Sequence, residues 1–181
     1  MHRVAGRLPP LVLMTDDDRL RDPLAAAAAL PKGAMVIVRA RESGRRAELA
    51  RAMVALSRRR DLYVLIADDP ALAAALGADG LHLPQSKARE AGHWRALHPC
   101  WIISASAHAP RAMHAPVDLI FLSAVFPTRS HPDRAALGAI RANALARGSR
   151  VPVYALGGID AQNATLLSGF AGVAAIGALS I

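Results

Sequence analysis

Two stretches near the C-terminus, Val-Pro-Val-Tyr-Ala-Leu-Gly-Gly-Ile at 151–159 and Gly-Val-Ala-Ala-Ile-Gly-Ala at 172–178, decide the fold. Each is an apolar, strand-like run that opens into a segment with little side chain. Bare backbone N–H groups at the ends of two adjacent parallel strands make an anion site, and in eight-stranded barrels that pocket commonly holds a phosphate. The expectation from these residues is a barrel that grips a small phosphorylated molecule.

Working outward, apolar runs at 11–15, 35–39, 62–67, 80–83, 101–104, 118–122, 153–156 and 173–176 alternate with helical patterns at 24–30, 43–59, 70–76, 86–97, 109–114, 135–147 and 160–168. Runs that are apolar on both faces are what parallel strands look like when helices cover them. The predicted class is therefore α/β, a TIM (β/α)8 barrel formed as a single domain over residues 1–181. It is shortened at the C-terminus, with the eighth helix absent. A complete barrel typically takes about 250 residues, so something must be trimmed. The uncovered seam between the first and last strands predicts a homodimer.

Composition narrows the function classes. At 53% hydrophobic the chain can bury a sizeable core. The formal charge of +8 comes from dispersed basic residues with aromatics at only 4%, which argues against nucleic acid; Arg58, Arg59 and Arg60 close a predicted helix, where cations complement the dipole. The apolar run 11–14 is too short for a signal peptide or a membrane span, so the reading is cytoplasmic and without a membrane partner. Cys100, the single cysteine, is expected as an inert buried thiol in a reducing compartment.

Barrel chemistry sits at the C-terminal ends of the strands. The polar residues falling there are Thr15 and Asp16, Arg39 and Arg41, Asp68 and Asp69, His82 and Gln85, Ser104, Ser106 and His108, then Thr128, Arg129, Ser130 and His131. Alternation along a strand sends Arg39 and Arg41 to opposite faces, which makes Arg39 the candidate for a phosphate. Asp68 could hold Mg2+ through carboxylate oxygens, whereas Asp69 caps the helix that Pro70 opens. His82 is expected in a barrel layer or towards a neighbouring strand, and His93 and His98 diverge along their helix.

Five segments, Gly-Ala-Asp-Gly-Leu-His-Leu-Pro-Gln (77–85), Ser-Ala-His (106–108), Val-Phe-Pro-Thr-Arg-Ser (125–130), Ala-Leu-Gly-Gly-Ile (155–159) and Val-Ala-Ala-Ile-Gly-Ala (173–178), stand in an order and spacing that resemble the thiamin phosphate synthase and TenI superfamily. The resemblance implies two activities. Synthases join hydroxymethylpyrimidine diphosphate to thiazole phosphate, with Mg2+ helping diphosphate to leave; TenI-type relatives tautomerise the thiazole carboxylate without a metal. It also implies that thiazole phosphate rests on Gly158, Ile176 and Gly177, with Thr128 and Ser130 donating.

The diphosphate side departs from the synthase pattern. Ile37, Arg39 and Arg41 stand where Gln, Arg and Lys are usual, Ala67 and Asp68 replace Asn-Asp, Lys87 replaces the second magnesium-binding aspartate, and His131 replaces a lysine. Lys87 could then neutralise diphosphate directly. His108 lies where the tautomerases carry their proton-transferring histidine, with Ser106 beside it, and an imidazole suits both donation and acceptance near neutrality. The expectation therefore leans slightly to TenI-like tautomerase chemistry with no cofactor required. The alternatives are a synthase using Mg2+ on Asp68, and a non-catalytic paralogue that only binds a phosphate ligand.

Overall fold

The computed structural model describes residues 8–128 and 135–176. Its eight parallel strands, β1 (Leu11–Met14), β2 (Met35–Val38), β3 (Tyr63–Ala67), β4 (Gly80–Leu83), β5 (Ile102–Ala107), β6 (Leu119–Leu122), β7 (Val153–Leu156) and β8 (Gly172–Ala175), pair in chain order and close into a barrel. Closure runs through Leu11↔Val173, Val12↔Ala174 and Leu13↔Ala175. The expected α/β barrel is the observed fold.

Strand alternation sorts the apolar residues into an inner and an outer core. Val12, Met14, Met35, Ile37, Leu65, Ile102, Leu119, Phe121 and Tyr154 form one buried cluster inside the barrel. Their neighbours point outward: Leu13, Val36, Val38, Val64 and Ile66 pack against α1 (Pro23–Ala28), α2 (Ser43–Arg60) and α3 (Pro70–Leu76). On the other side, Leu81, Leu83, Ile103, Ile120 and Val153 pack against α4 (Ala91–Leu97) and α5 (Ala139–Arg147). Apart from the 18-residue α2, these helices are short, six to nine residues, and present alanines such as Ala26, Ala73, Ala91 and Ala142 to the sheet at close range.

Local chemistry fixes the helix ends. Asp22 accepts from the Ala25 N–H at 2.9 Å ahead of Pro23, and Asp69 accepts from the Leu72 N–H at 3.0 Å ahead of Pro70. Asp69 thus has its expected capping role. Arg58, Arg59 and Arg60 do occupy the last turn of α2, and the left-handed Asp61 (φ 55°) terminates it.

Three helical expectations change. The segment 86–97 begins as a 3₁₀ turn, Gln85–Glu90, before α4. The expected helix at 109–114 is a 3₁₀ turn, Pro110–His114, because Ala115 precedes Pro116 and takes the extended conformation (ψ 142°) that a following proline imposes. The expected helix at 160–168 contracts to the 3₁₀ turn Asn163–Leu166, where Asp160 Oδ1 accepts from the N–H groups of Gln162 and Asn163 and bends the chain locally. Much of the trimming expected for so short a barrel is therefore in its outer layer. The expectation of an absent eighth helix concerns the chain from residue 177 onward, which lies outside the described residues. Cys100 is exposed rather than buried, since it lies in the loop before β5 and not on a core-facing strand position.

Gly80 permits the closest strand approach: a Cβ there would lie 1.9 Å from the Ile102 carbonyl oxygen. Gly80→Ala should lower the unfolding free energy by about 3 kcal/mol or more. Gly92→Ala, on α4 where a Cβ meets nothing within 4 Å, should be neutral or stabilising by up to about 1 kcal/mol. Urea unfolding of the two variants checks the contrast; equal shifts would contradict it.

Candidate active site

A cavity of about 960 Å³ opens at the C-terminal ends of the strands. One wall is built by Gly157, Gly158, Thr128 and Ile176. Gly157 and Gly158 take φ of 91° and 67°, and a Cβ on Gly158 would stand 2.3 Å from the Pro127 carbonyl oxygen, so both the conformation and the space demand glycine. Phe126 N–H donates to the Gly157 carbonyl at 3.0 Å and joins the loops after β6 and β7, while Asn163 Nδ2 donates to the Gly158 carbonyl at 2.7 Å and braces the β7 loop on itself. This wall is the expected phosphate side. Ser130, His131 and Gly177, the remaining candidates of that expectation and its neighbour, lie outside the described residues.

The opposite wall is cationic. Arg19, Arg39, Arg41 and Arg46 line it, facing Asp16, Asp18 and Asp68. Thr15 Oγ1 accepts from the Arg39 N–H and donates to the Arg39 carbonyl, both at 2.8 Å, which pins the chain leaving β2 onto the end of β1. Asp16 is nearly buried, pairs with Arg19 at 2.6 Å and lies 3.9 Å from Arg39; the Arg19 hydrogen bond holds its carboxyl below the usual range despite burial. Arg41 pairs with Asp18 at 3.1 Å. The expectation that Arg39 and Arg41 leave on opposite faces does not hold. β2 ends at Val38, so strand alternation no longer applies beyond it, and both arginines reach the cavity.

Asp68 takes a left-handed conformation (φ 52°) just past β3 and receives a hydrogen bond from Lys87 Nζ at 2.7 Å. The bond to Asp68 raises the Lys87 pKa. For the Mg2+ that the resemblance implies, this donor set does not fit: the Lys87 ammonium sits on Asp68 Oδ1 and its positive charge opposes a divalent ion beside it, and no group of three His, Cys, Asp or Glu among the described residues is placed to hold a cation.

The cavity floor is neutral. His82 is buried between Ser104 Oγ, 2.9 Å from its Nδ1, and Ser106 Oγ, 3.0 Å from its Nε2, with Phe121 edge-on at 5.4 Å. Desolvation, reinforced by Arg39, pulls its pKa down to about 4. His82 thus lies in a barrel layer and bonds to the neighbouring strand. It also orients the hydroxyl of Ser106 at the cavity floor. His108 stands at the rim, its N–H donating to Gln85 Oε1 at 2.6 Å and its Nδ1 near both the carbonyl (3.1 Å) and the hydroxyl (2.9 Å) of Ser123. The carbonyl only accepts, whereas the hydroxyl can donate to Nδ1 or accept from it, so Ser123 orients the imidazole in either tautomer.

Sequence reasoning missed Ser123, Arg19 and Arg46. Ser123 could have been found as the first polar residue after the sixth apolar run, and Arg19 from its i,i+3 spacing to Asp16; Arg46, on α2, gave no such signal. Away from the cavity, His93 and His98 each lie against a tryptophan, with His98 stacked on Trp101 at 3.7 Å.

Known proteins give the arrangement a context. The sequence profile described as thiamine monophosphate synthase (TMP-TENI) matches residues 11–179. The thiamine-phosphate synthase of Methylobacillus flagellatus is 38% identical over 173 residues, covering 91% of this chain and 82% of that protein. The thiamine biosynthesis bifunctional protein ThiED of Geobacter sulfurreducens is 36% identical over 84% of this chain, which spans only 32% of that longer protein. Among solved structures, a thiamine phosphate pyrophosphorylase from Pyrococcus furiosus superposes with a TM-score of 0.74 at 22% identity, covering 94% of this chain and 86% of that one.

The depressed pKa of His82 has a consequence for stability. Its proton binds more tightly in the unfolded chain, near 6.5, than in the fold, near 4, so the stabilisation is complete above pH 6.5 and is lost as pH falls towards 4. The loss should be on the order of 3 kcal/mol. Urea midpoints for wild type and His82→Asn at pH 7.0 and 4.5 check this: the variant should show a much flatter dependence, and parallel pH profiles would assign the titration elsewhere.

Proposed function

The chain belongs to the thiamine monophosphate synthase family, and we propose that it couples thiazole phosphate to hydroxymethylpyrimidine diphosphate, releasing diphosphate. The observation that carries this reading is a glycine-lined wall and an arginine-rich wall sharing one cavity, an arrangement that suits two separate anionic groups. A tautomerase acts on a single phosphorylated substrate, whose one carboxylate needs at most one cation beside the glycine wall and a base. A wall of several arginines suits a second, multiply charged anionic group, and relatives named thiamine-phosphate synthase point the same way. The slight initial preference for tautomerase chemistry therefore gives way to coupling.

In this reading the thiazole phosphate lies against Gly158, Thr128 and Ile176, and Gly177 and Ser130 complete the expected set. The diphosphate faces Arg39, Arg41 and Lys87, with His131 as the further candidate. The bond from the pyrimidine methylene carbon to the diphosphate oxygen breaks with its electrons going to diphosphate, and the thiazole ring nitrogen supplies the pair for the new carbon–nitrogen bond. Arginine forks stabilise the charge that accumulates on the departing group, since they are fixed before the reaction and need no reorganisation. Ser106, oriented by His82, and His108, oriented by Ser123, border the space between the walls and align the pyrimidine ring.

The tautomerase reading keeps one specific support, the His108 imidazole oriented by Ser123 at the cavity rim. The two readings separate in one set of assays. Wild type should form thiamin phosphate from the two substrates. Arg39→Gln should lower kcat/KM for the pyrimidine diphosphate by about 10–100-fold with little change in KM for thiazole phosphate, as expected for loss of one charged hydrogen-bond donor. Gly158→Asp should instead abolish thiazole phosphate binding, through both bulk and like charge. A wild type that isomerises the thiazole carboxylate, forms no thiamin phosphate, and loses about 10²–10⁴-fold on His108→Asn would establish the tautomerase instead.

A further inference from the structure

We infer that the Lys87 ammonium, seated on Asp68, is this chain's built-in replacement for a divalent cation, so that the cationic wall grips a diphosphate group without metal. The inference rests on the coupling reading above and specifies how its second substrate is held.

The charge arithmetic of the site leads there. Two carboxylates and one divalent ion are neutral as a unit, and so are one carboxylate and one ammonium. Asp68 with Lys87 therefore preserves the local balance while dispensing with the ion. The geometry agrees with this. Lys87 Nζ is 2.7 Å from Asp68 Oδ1, both side chains are about half exposed, and Asp68 itself lines the cavity, so a ligand there comes within reach of the pair. An ammonium carries three donors, and Asp68 takes one, so phosphate oxygens can be met by others.

The carboxylates that could compete for a metal are committed to cations as well. Asp16 is held by Arg19 at 2.6 Å, and Asp18 by Arg41 at 3.1 Å. A divalent ion entering this wall would have to displace an arginine or lysine from its carboxylate and would face the positive charge left behind. A diphosphate, by contrast, meets cations already in place. Asp68 is held in the left-handed region just past β3, where a non-glycine residue costs free energy, and from there its carboxylate meets the lysine of the 3₁₀ turn Gln85–Glu90.

Titration calorimetry of the intact protein with inorganic pyrophosphate, in EDTA and in millimolar MgCl2, tests the inference. Wild type should bind in EDTA at least as tightly as with Mg2+, which in solution withdraws the free anion. Lys87→Gln should weaken binding in EDTA by about 10–100-fold. Lys87→Asp should abolish it there and recover it with Mg2+, now held between two carboxylates. Wild-type binding that appears only with Mg2+, or unchanged affinity in Lys87→Gln, overturns the metal-free grip while leaving the coupling reading intact. No pyrophosphate binding in either buffer overturns both, since the cationic wall would then not be a diphosphate site.

Discussion

The carbonyl of Pro10 accepts from the Val173 N–H at 2.9 Å, and around that contact the last strand meets the first. Closure there requires an absence of side chain, because a Cβ on Gly172 would stand 2.2 Å from the same Pro10 oxygen. Tyr154 adds a second tie from inside, its buried hydroxyl donating to the Pro9 carbonyl at 2.7 Å, and its burial pushes its pKa up to about 12. Once the sheet is closed every strand end is fixed relative to the others. The glycine wall after β7 and β8 and the cationic wall after β1 to β3 then share one mouth, although more than a hundred residues separate Arg39 from Gly157 in the chain.

Electrostatics divides that mouth into a neutral floor and a charged rim. His82 stays uncharged because the barrel interior solvates an imidazolium poorly and Arg39 opposes a second positive charge nearby. Carboxylates and cations at the rim instead interleave as pairs that water still reaches. Such exposed pairs add little to stability. Their value is positional: Asp16 and Asp18 hold arginine forks at the mouth, at the cost of part of their positive charge, and a ligand carrying several negative oxygens can rearrange the pairs more easily than it could recruit freely moving side chains.

The barrel was legible because it depends on features that one residue decides locally. Apolar runs at regular intervals gave all eight strands to within a residue or so at most ends, and a glycine pair after the seventh run marked one wall of the cavity, where φ of 91° and 67° and a 2.3 Å contact leave no other residue type. What could not be read depended on partners far away. The Lys87–Asp68 bond joins residues 19 apart on different loops, and the Thr15 clamp on Arg39 spans 24. The error about Arg41 came from extending strand alternation past the last ladder hydrogen bond, where the backbone turns and the period of two is lost.

The short helices also become intelligible once the two ends of the strands are considered separately. Burial of the outer sheet face can be met by small residues at close approach, as with Ala26 and Ala27 on α1 and Ala142 and Ala146 on α5, so helix length can shrink without exposing the strands. The C-terminal loops have no such freedom, because each must deliver a group to one cavity. Between β5 and β6 the connecting helix has contracted to the 3₁₀ turn Pro110–His114, yet His108 and Ser123 at the ends of those strands still meet at 2.9 Å. Their separation is set by the strand register Ser106↔Phe121 and Ala107↔Leu122, which the connection does not control. Trimming has therefore fallen largely on the layer that supplies burial, while the groups proposed for catalysis remain tied to the sheet.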